Sequence, residues 1–261
     1  MAARAIAWAT RHGGPGQRPH TGGRAVKAAL DQEMRAHLRE NAMVAQPDRG
    51  RADYLRGYGF APDLVVDIGV DTGTPQLYRA FPKAKFVLID ARAEAEAQMQ
   101  ARGAPADYAF HACGVGAAPG EMELRIPVTA KGAATARAGF RTASGPMARN
   151  IEGYETRPVP VRTVDEIMRA YPGRVGMKID TEGFEYEVLR GAGDTLARCD
   201  FVMLELSVTP RFEGVAPPSR VFAELARAGL EFRDILRSTG DGKGGPRPRL
   251  FDALFAPWGE T

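Results

Sequence analysis

Residues 64–73 read LVVDIGVDTG. The run is apolar around Asp67, and it then breaks into two glycines, Gly69 and Gly73, with a second carboxylate, Asp71, between them. LVVDI is too apolar to face water on either side, which predicts a central strand of a parallel sheet covered on both faces. A buried strand ending in a carboxylate and a glycine turn offers its tip to a ligand. Glycine lets the backbone approach closely, and aspartate is among the few other residues that tolerate a left-handed turn.

Outward from this strand the chain alternates short apolar runs with amphipathic stretches, the pattern of βαβ units. Thr74 and Pro75 predict the N-cap and first turn of a short helix, TPQLYRAF, that stops at Pro82. KFVLID is a second strand, ARAEAEAQMQAR a helix closed by Gly103, and ADYAFHACGV a third strand. GEMELRIPV and RPVPVRTV read as extended edge strands around a Gly/Ala/Ser/Arg-rich segment, residues 129–150, expected to be a mobile loop. Thr163 and Glu166 have the spacing of a capping box, so TVDEIMRAY begins a helix. VGMKID and DFVMLELSV are the next strands, with the helices FEYEVLRGA and SRVFAELARAGL after them. EFRDILRS and LFDALFAPW are joined by a polar loop that permits a hairpin only, so the last strand should run antiparallel. The expected fold is α/β, a mostly parallel sheet with helices on both faces and an antiparallel last strand.

At 261 residues, 44% apolar and 26% charged, the chain has the composition of an ordinary globular protein. No apolar run reaches the roughly 20 residues that cross a bilayer, and a cytoplasmic protein is expected. Cys113 and Cys199 form no disulfide framework or zinc motif. The net charge is only +3, but Arg4, Arg11, Arg18, Arg24 and Lys27 all precede the first acidic residue, Asp31. Residues 1–52 therefore read as a basic tail with a helical extension at about residues 24–45, and residues 53–261 as the single domain. Without interleaved aromatic residues the tail is not expected to bind nucleic acid. Oligomeric state is not readable from these patterns.

The chemistry gathers at the strand tips. Asp90 ends the second strand about 20 residues after Asp67, where nucleotide-binding α/β folds place a carboxylate on ribose hydroxyls. A dinucleotide would need G-x-G-x-x-G to seat its diphosphate; the loop here reads G-V-D-T-G, with Asp67 and Asp71 where a dianion would lie. A cationic ligand without phosphate, such as S-adenosyl-L-methionine, fits better. In VGMKID-T-E, Asp180 and Glu182 emerge at a neighbouring strand tip. Either can serve as the base for a hydroxyl acceptor or hold the ammonium of such a cofactor. A third reading joins both with Glu205 around Mg²⁺, although no resident metal is expected. The segment bearing Arg137, Arg141 and Arg149 could close over an acceptor that carries phosphate or carboxylate. Against these stand plainer roles. Glu182 would favour a helix N-terminus, Glu205 would pair with Lys178, His111 would be a satisfied core or edge histidine, Asp165 would start its helix, and the arginine-bearing segment would be a solvated insertion.

DIGVDTG resembles the D-x-G-A-N-x-G loop of the FkbM family of S-adenosyl-L-methionine-dependent methyltransferases, and KIDTEGFEYEVLRGA resembles its K-x-D-x-E-G-x-E-x-x-V-L-x-G segment. The resemblance implies the Rossmann-like seven-stranded methyltransferase sheet and O-methylation of a hydroxyl on a sugar, glycolipid or secondary metabolite. It implies cofactor contacts from Asp67, Gly69, Asp71, Gly73, Asp90, Asp180 and the segment around Cys113, with Asp180 and Glu182 as catalytic candidates. The chain departs from the family in Val70-Asp71 for Ala-Asn and in Asp90-Ala91 for Glu-Pro, which adds charge at one position and shortens the reach at the other. The alternative is a non-catalytic α/β module that binds a partner through the basic tail and the arginine-bearing loop.

Overall fold

The structure is a computed structural model and describes residues 21–41, 49–240 and 248–259. The tail before residue 21 and the loop joining the last two strands lie outside the described residues. Chain contacts divide it into Met1–Pro47 and Asp48–Thr261. The first unit contains helix α1 (Thr21–Glu40), which begins and ends a few residues earlier than its sequence suggests.

The second unit runs α2 (Ala52–Arg56), β1 (Leu64–Ile68), α3 (Pro75–Ala80), β2 (Lys85–Asp90), α4 (Ala95–Arg102) and β3 (Tyr108–Ala112). It continues with β4 (Gly114–Val115), β5 (Gly120–Thr129), β6 (Gly132–Ala133), β7 (Gly153–Arg162), α5 (Val164–Met168) and β8 (Val175–Ile179). Last come α6 (Glu185–Arg190), α7 (Gly193–Leu196), β9 (Cys199–Ser207), α8 (Pro218–Arg227), β10 (Leu230–Gly240) and β11 (Pro248–Pro257).

Seven strands form one sheet in the order β10-β11-β9-β8-β1-β2-β3. The pairs from β9 to β3 are parallel, whereas β11 runs antiparallel to both β9 and β10 between which it lies. This is the expected seven-stranded Rossmann-like sheet with a reversed last strand. All five residues of β1 are buried, as a strand with neighbours and helices on every side requires. One apolar layer gathers Val66, Ile68, Val87, Met177, Val188 and Leu225; the opposite layer gathers Val65, Leu77, Phe86, Leu88, Phe201 and Met203.

Three sequence expectations change. The run ADYAFHACGV is not one strand. It breaks at Cys113, and Gly114–Val115 leaves the main sheet to pair with β7. GEMELRIPV and RPVPVRTV are not its edge strands but an antiparallel pair in a separate four-stranded sheet, β4-β7-β5-β6. Leu124, Ile126 and Val159 give that sheet a small core of its own, with Phe140 and Ala138 packed on it. Residues 129–150 are thus not a free loop. Arg125 and Gly139 form a backbone bridge, as do Ala143 and Phe212, and Phe140 stacks near Phe184. The capping box at Thr163 and Glu166 is present, with bonds of 3.1 and 3.0 Å. Thr74 occupies the predicted N-cap position but makes no side-chain capping bond.

Phe201 is 1% exposed and lies 5.1 Å from the Phe81 ring and 5.0 Å from Phe60. A Cβ on Gly176 of the neighbouring strand would come within 2.3 Å of the same ring, so no other residue of this sheet could sit there. Phe201→Ala should destabilise the domain by about 3–5 kcal/mol, lowering Tm by about 6–20 °C in a calorimetric scan. A shift below a few degrees would show that the aromatic layer is not a packing centre.

Candidate active site

The carboxyl ends of β1, β2, β8 and β9 converge on one cavity of about 180 Å³. The turn after β1 is possible only because of its glycine. Gly69 has φ 76°, and a Cβ there would lie 1.8 Å from the Asp180 carbonyl oxygen. The Gly69 N–H donates to the Ile89 carbonyl at 2.9 Å and the Asp180 N–H to the Ile68 carbonyl at 2.9 Å, tying three strand tips together. Asp71 holds the left-handed conformation expected of it, φ 47°, and Gly73 follows at φ 96°.

Each carboxylate at these tips has a defined partner. Asp67 is fully buried beneath the turn, where its Oδ1 accepts from Lys178 Nζ at 3.2 Å and its Oδ2 from the Tyr78 hydroxyl at 3.2 Å. It lines no wall of the cavity and holds the turn from beneath. Burial would lower the Lys178 ammonium, but the charges of Asp67 and then Asp180, 3.5 Å away, outweigh it and keep it protonated. Asp90 accepts from the backbone N–H groups of Asp71 and Arg92, both at 2.8 Å.

Arg92, only 2% exposed, bridges the two tip carboxylates. It donates to Asp71 Oδ1 at 2.8 Å and lies 3.3 Å from Asp90 Oδ1. Each of the two carboxylates in the β1 turn thus has a cation beside it, Lys178 for Asp67 and Arg92 for Asp71.

Asp180, Glu182 and Glu205 come together as the sequence suggests, but their partners differ. Glu205 is paired with Arg211 rather than with Lys178, and the same guanidinium lies 3.4 Å from Glu182 Oε2. Glu182 has φ 50°, a strained value for an unbranched L-residue, and the neighbouring Gly183 at φ 93° leaves no room for a Cβ against Phe212. Burial, then the charges of Glu205 and Asp180, push the Glu182 carboxyl up to about 8 against the pull of Arg211. Glu185 is structural: its Oε1 accepts from the N–H groups of Thr181 and Gly183 at 3.1 and 3.0 Å, and burial pushes its carboxyl up to about 7. Among the described residues no group of three His, Cys, Asp or Glu is disposed to hold a metal ion.

The remaining walls are Ile89, Cys113, Val115 and Leu124, together with Thr135–Phe140 of the segment once expected to be loose. Cys113 is buried, and its thiol is pushed up by that burial. Arg141 is internal, donating to the Gly183 carbonyl at 2.8 Å and to Glu187 at 2.5 Å, and Arg137 donates to the Met147 carbonyl at 2.5 Å. Of the three loop arginines only Arg149 is exposed. Asp165 lies in the first turn of α5, as expected, and also accepts from the Asp194 and Thr195 N–H groups at the start of α7, while His111 contacts the Tyr171 hydroxyl at 3.1 Å.

Sequence reasoning missed Arg92 and Arg211. Arg92 stands two residues after Asp90, and Arg211 six after Glu205 between Pro210 and Phe212, which are the only local hints.

The family described as methyltransferase FkbM domain matches residues 67–241. Solved structures similar to this chain include the magnesium protoporphyrin IX methyltransferase of Synechocystis PCC 6803 with bound SAM. That pair is 9% identical over 94% of this chain and 86% of that one, with a TM-score of 0.42. A Streptococcus thermophilus rRNA methylase matches over 82% and 98% at 8% identity and a TM-score of 0.44. The Burkholderia thailandensis 1,6-didemethyltoxoflavin-N1-methyltransferase matches over 93% of each chain at 13% identity and a TM-score of 0.38. Comparison with curated protein sequences gave no match. No helix among the described residues is long and apolar enough to cross a membrane.

Because Glu182 holds its proton far above the ordinary carboxylate value near 4.3, the native state retains a proton that the unfolded chain releases. Its contribution to stability is therefore lost as pH rises from about 5 to about 8. The urea midpoint of the native chain relative to Glu182→Gln should fall across that window, with distant groups such as His111 cancelling in the difference. A constant difference would show that Glu182 titrates normally.

Proposed function

Because the chain belongs to the methyltransferase FkbM domain family, we propose that it transfers the methyl group of S-adenosyl-L-methionine to a hydroxyl of a small-molecule or glycan acceptor. The observation that carries the reading is Glu182. It is a partly buried carboxyl in a strained conformation on the cavity wall, with an affinity for protons matched to general-base work near neutral pH.

The residues present suit the cofactor. Six carboxylates, those of Asp67, Asp71, Asp90, Asp180, Glu182 and Glu205, face three cations, Lys178, Arg92 and Arg211. The excess of acceptors favours a ligand with an ammonium, a sulfonium and hydroxyl donors, and opposes a diphosphate. Asp90 accepts from the Asp71 and Arg92 N–H groups and, at 3.5 Å, from the Arg92 guanidinium, which leaves about one of a carboxylate's four lone-pair sites for a ribose hydroxyl. Ile89, Cys113, Val115, Leu124 and Phe140 make an apolar slot of the kind that takes a purine.

When bound, the cofactor supplies an electrophilic methyl group on a cationic sulfur. The chain's own residues align the partners and manage one proton. Gly69 lets the β1 turn reach the ligand, and Asp180, at the tip of β8 beside Lys178, takes the ammonium. Thr135, Ala136, Ala138, Gly139 and Phe140 wall the cavity on its open side against solvent approach from that segment. Glu182 accepts the proton of the acceptor hydroxyl at a side-chain oxygen, and Arg211 steadies the resulting charge balance with Glu205. A binding module without catalysis gains no support, since Arg137 and Arg141 are occupied within the fold.

Incubation of the protein with radiolabelled cofactor and an extract of its host should transfer label to one acceptor class. Glu182→Gln should keep cofactor binding and lose about 10²- to 10⁴-fold in transfer rate, and the native rate should rise with pH toward about 8. Undiminished transfer by Glu182→Gln would remove the proposed base.

A further inference from the structure

The cavity at the strand tips continues along the sheet. A neighbouring cavity of about 220 Å³ shares Gly69, Asp71, Asp180 and Glu205 with it and extends to Arg237 on β10 and Asp252 on β11. There it meets a wider hollow of about 800 Å³ that also includes Gln76, Arg237 and Asp252 and is walled by Arg51, Arg56 and Arg79. The register makes this one trough: Glu205 pairs across the sheet with Asp252, and Asp252 with Arg237.

The charge reverses along its length. The inner end carries the carboxylates of Asp71, Asp180, Glu182 and Glu205. The outer hollow carries four guanidinium groups against Asp53 and Asp252. Arg51 is engaged by Asp53 at 3.1 Å and Arg237 by Asp252 at 2.7 Å. Arg56 and Arg79 have no carboxylate within ion-pair distance among the described residues; both line the hollow, and Arg56 donates one guanidinium N–H to the Arg79 backbone carbonyl at 2.9 Å. Planar guanidinium forks lining one hollow suit the capture of a phosphate or carboxylate.

We propose that the outer hollow binds an anionic group, phosphate or carboxylate, carried by the methyl acceptor at a distance from its reacting hydroxyl, with Arg56 and Arg79 as its ligands. That this anion belongs to the acceptor rests on the function proposed above; the anion site itself does not. From β8 to Arg237 on β10, which lines the same hollow as Arg56 and Arg79, the trough crosses three strand spacings, roughly 14 Å, so an acceptor that reaches both ends is longer than a single sugar ring. The field along the trough orients it. The carboxylates inside repel the anionic end, and the arginines outside retain it.

The test is calorimetric titration of the full chain, saturated with S-adenosylhomocysteine, with inorganic phosphate, glucuronate and neutral glucose as probes. One anion or both should bind with a Kd in the millimolar range or tighter, and glucose should give no heat. The double variant Arg56→Ala/Arg79→Ala should weaken that binding at least tenfold and leave S-adenosylhomocysteine binding unchanged. The anion that binds more tightly identifies the acceptor's charged group. Anions that bind no better than glucose, or that bind the double variant equally well, would overturn the proposal. Failure of S-adenosylhomocysteine to bind would instead count against the methyltransferase reading, so the two failures are separable.

Discussion

A single buried ammonium holds the two central strand tips together. Lys178 on β8 reaches Asp67 on β1 at 3.2 Å and Asp180 at its own strand end at 3.5 Å, in a sheet where the two backbones pass so closely that only glycine fits at position 69. An unpaired charge at the Asp67 position would be prohibitive, since breaking a buried pair costs about 3–5 kcal/mol. The pair therefore dictates which residues stand above it. Gly69 must turn out of the strand, Asp71 must follow in a left-handed conformation, and Asp180 must point toward the cavity. Asp67, the first carboxylate met in the sequence, is then a foundation for the site rather than one of its walls.

Around that foundation the charges are arranged in compensated sets with an acidic remainder. Arg92 clamps Asp71 to Asp90, Arg211 joins Glu205 to Glu182, and the excess carboxylates leave the cavity suited to a cationic ligand. The same excess presses a proton onto Glu182. Selection for a positively charged cofactor and tuning of a base near neutral pH are thus two effects of one charge distribution. The second sheet, inserted between β3 and α5, contributes little to the main core, but it brings the 135–140 wall over the strand tips.

Much of the fold was legible because its signals are local. Largely apolar runs such as LVVDI and KFVLID read as central strands, the Thr163–Glu166 spacing marks a helix start, and a short polar connection forces the last two strands into a hairpin. The candidate site was legible as a set of strand-tip carboxylates for the same reason. What could not be read were partners decided by approach in space. Arg92 is one residue among many arginines until β1 and β2 align, and Arg211 meets Glu182 only after β9 turns back. Residues 129–150 looked like a loose connection because they carry few large apolar side chains. Their order comes instead from backbone bridges to Arg125 and Phe212 and from two internal arginines, which composition does not reveal.

The central claim is that the acidic, clamped strand tips form a site for a cationic, phosphate-free nucleotide cofactor. Isothermal titration of the full chain with S-adenosyl-L-methionine and, separately, with NAD tests it most directly. The account predicts saturable one-to-one heat with S-adenosyl-L-methionine and none with NAD. No heat with S-adenosyl-L-methionine at millimolar concentration, or tighter binding of NAD, would contradict it.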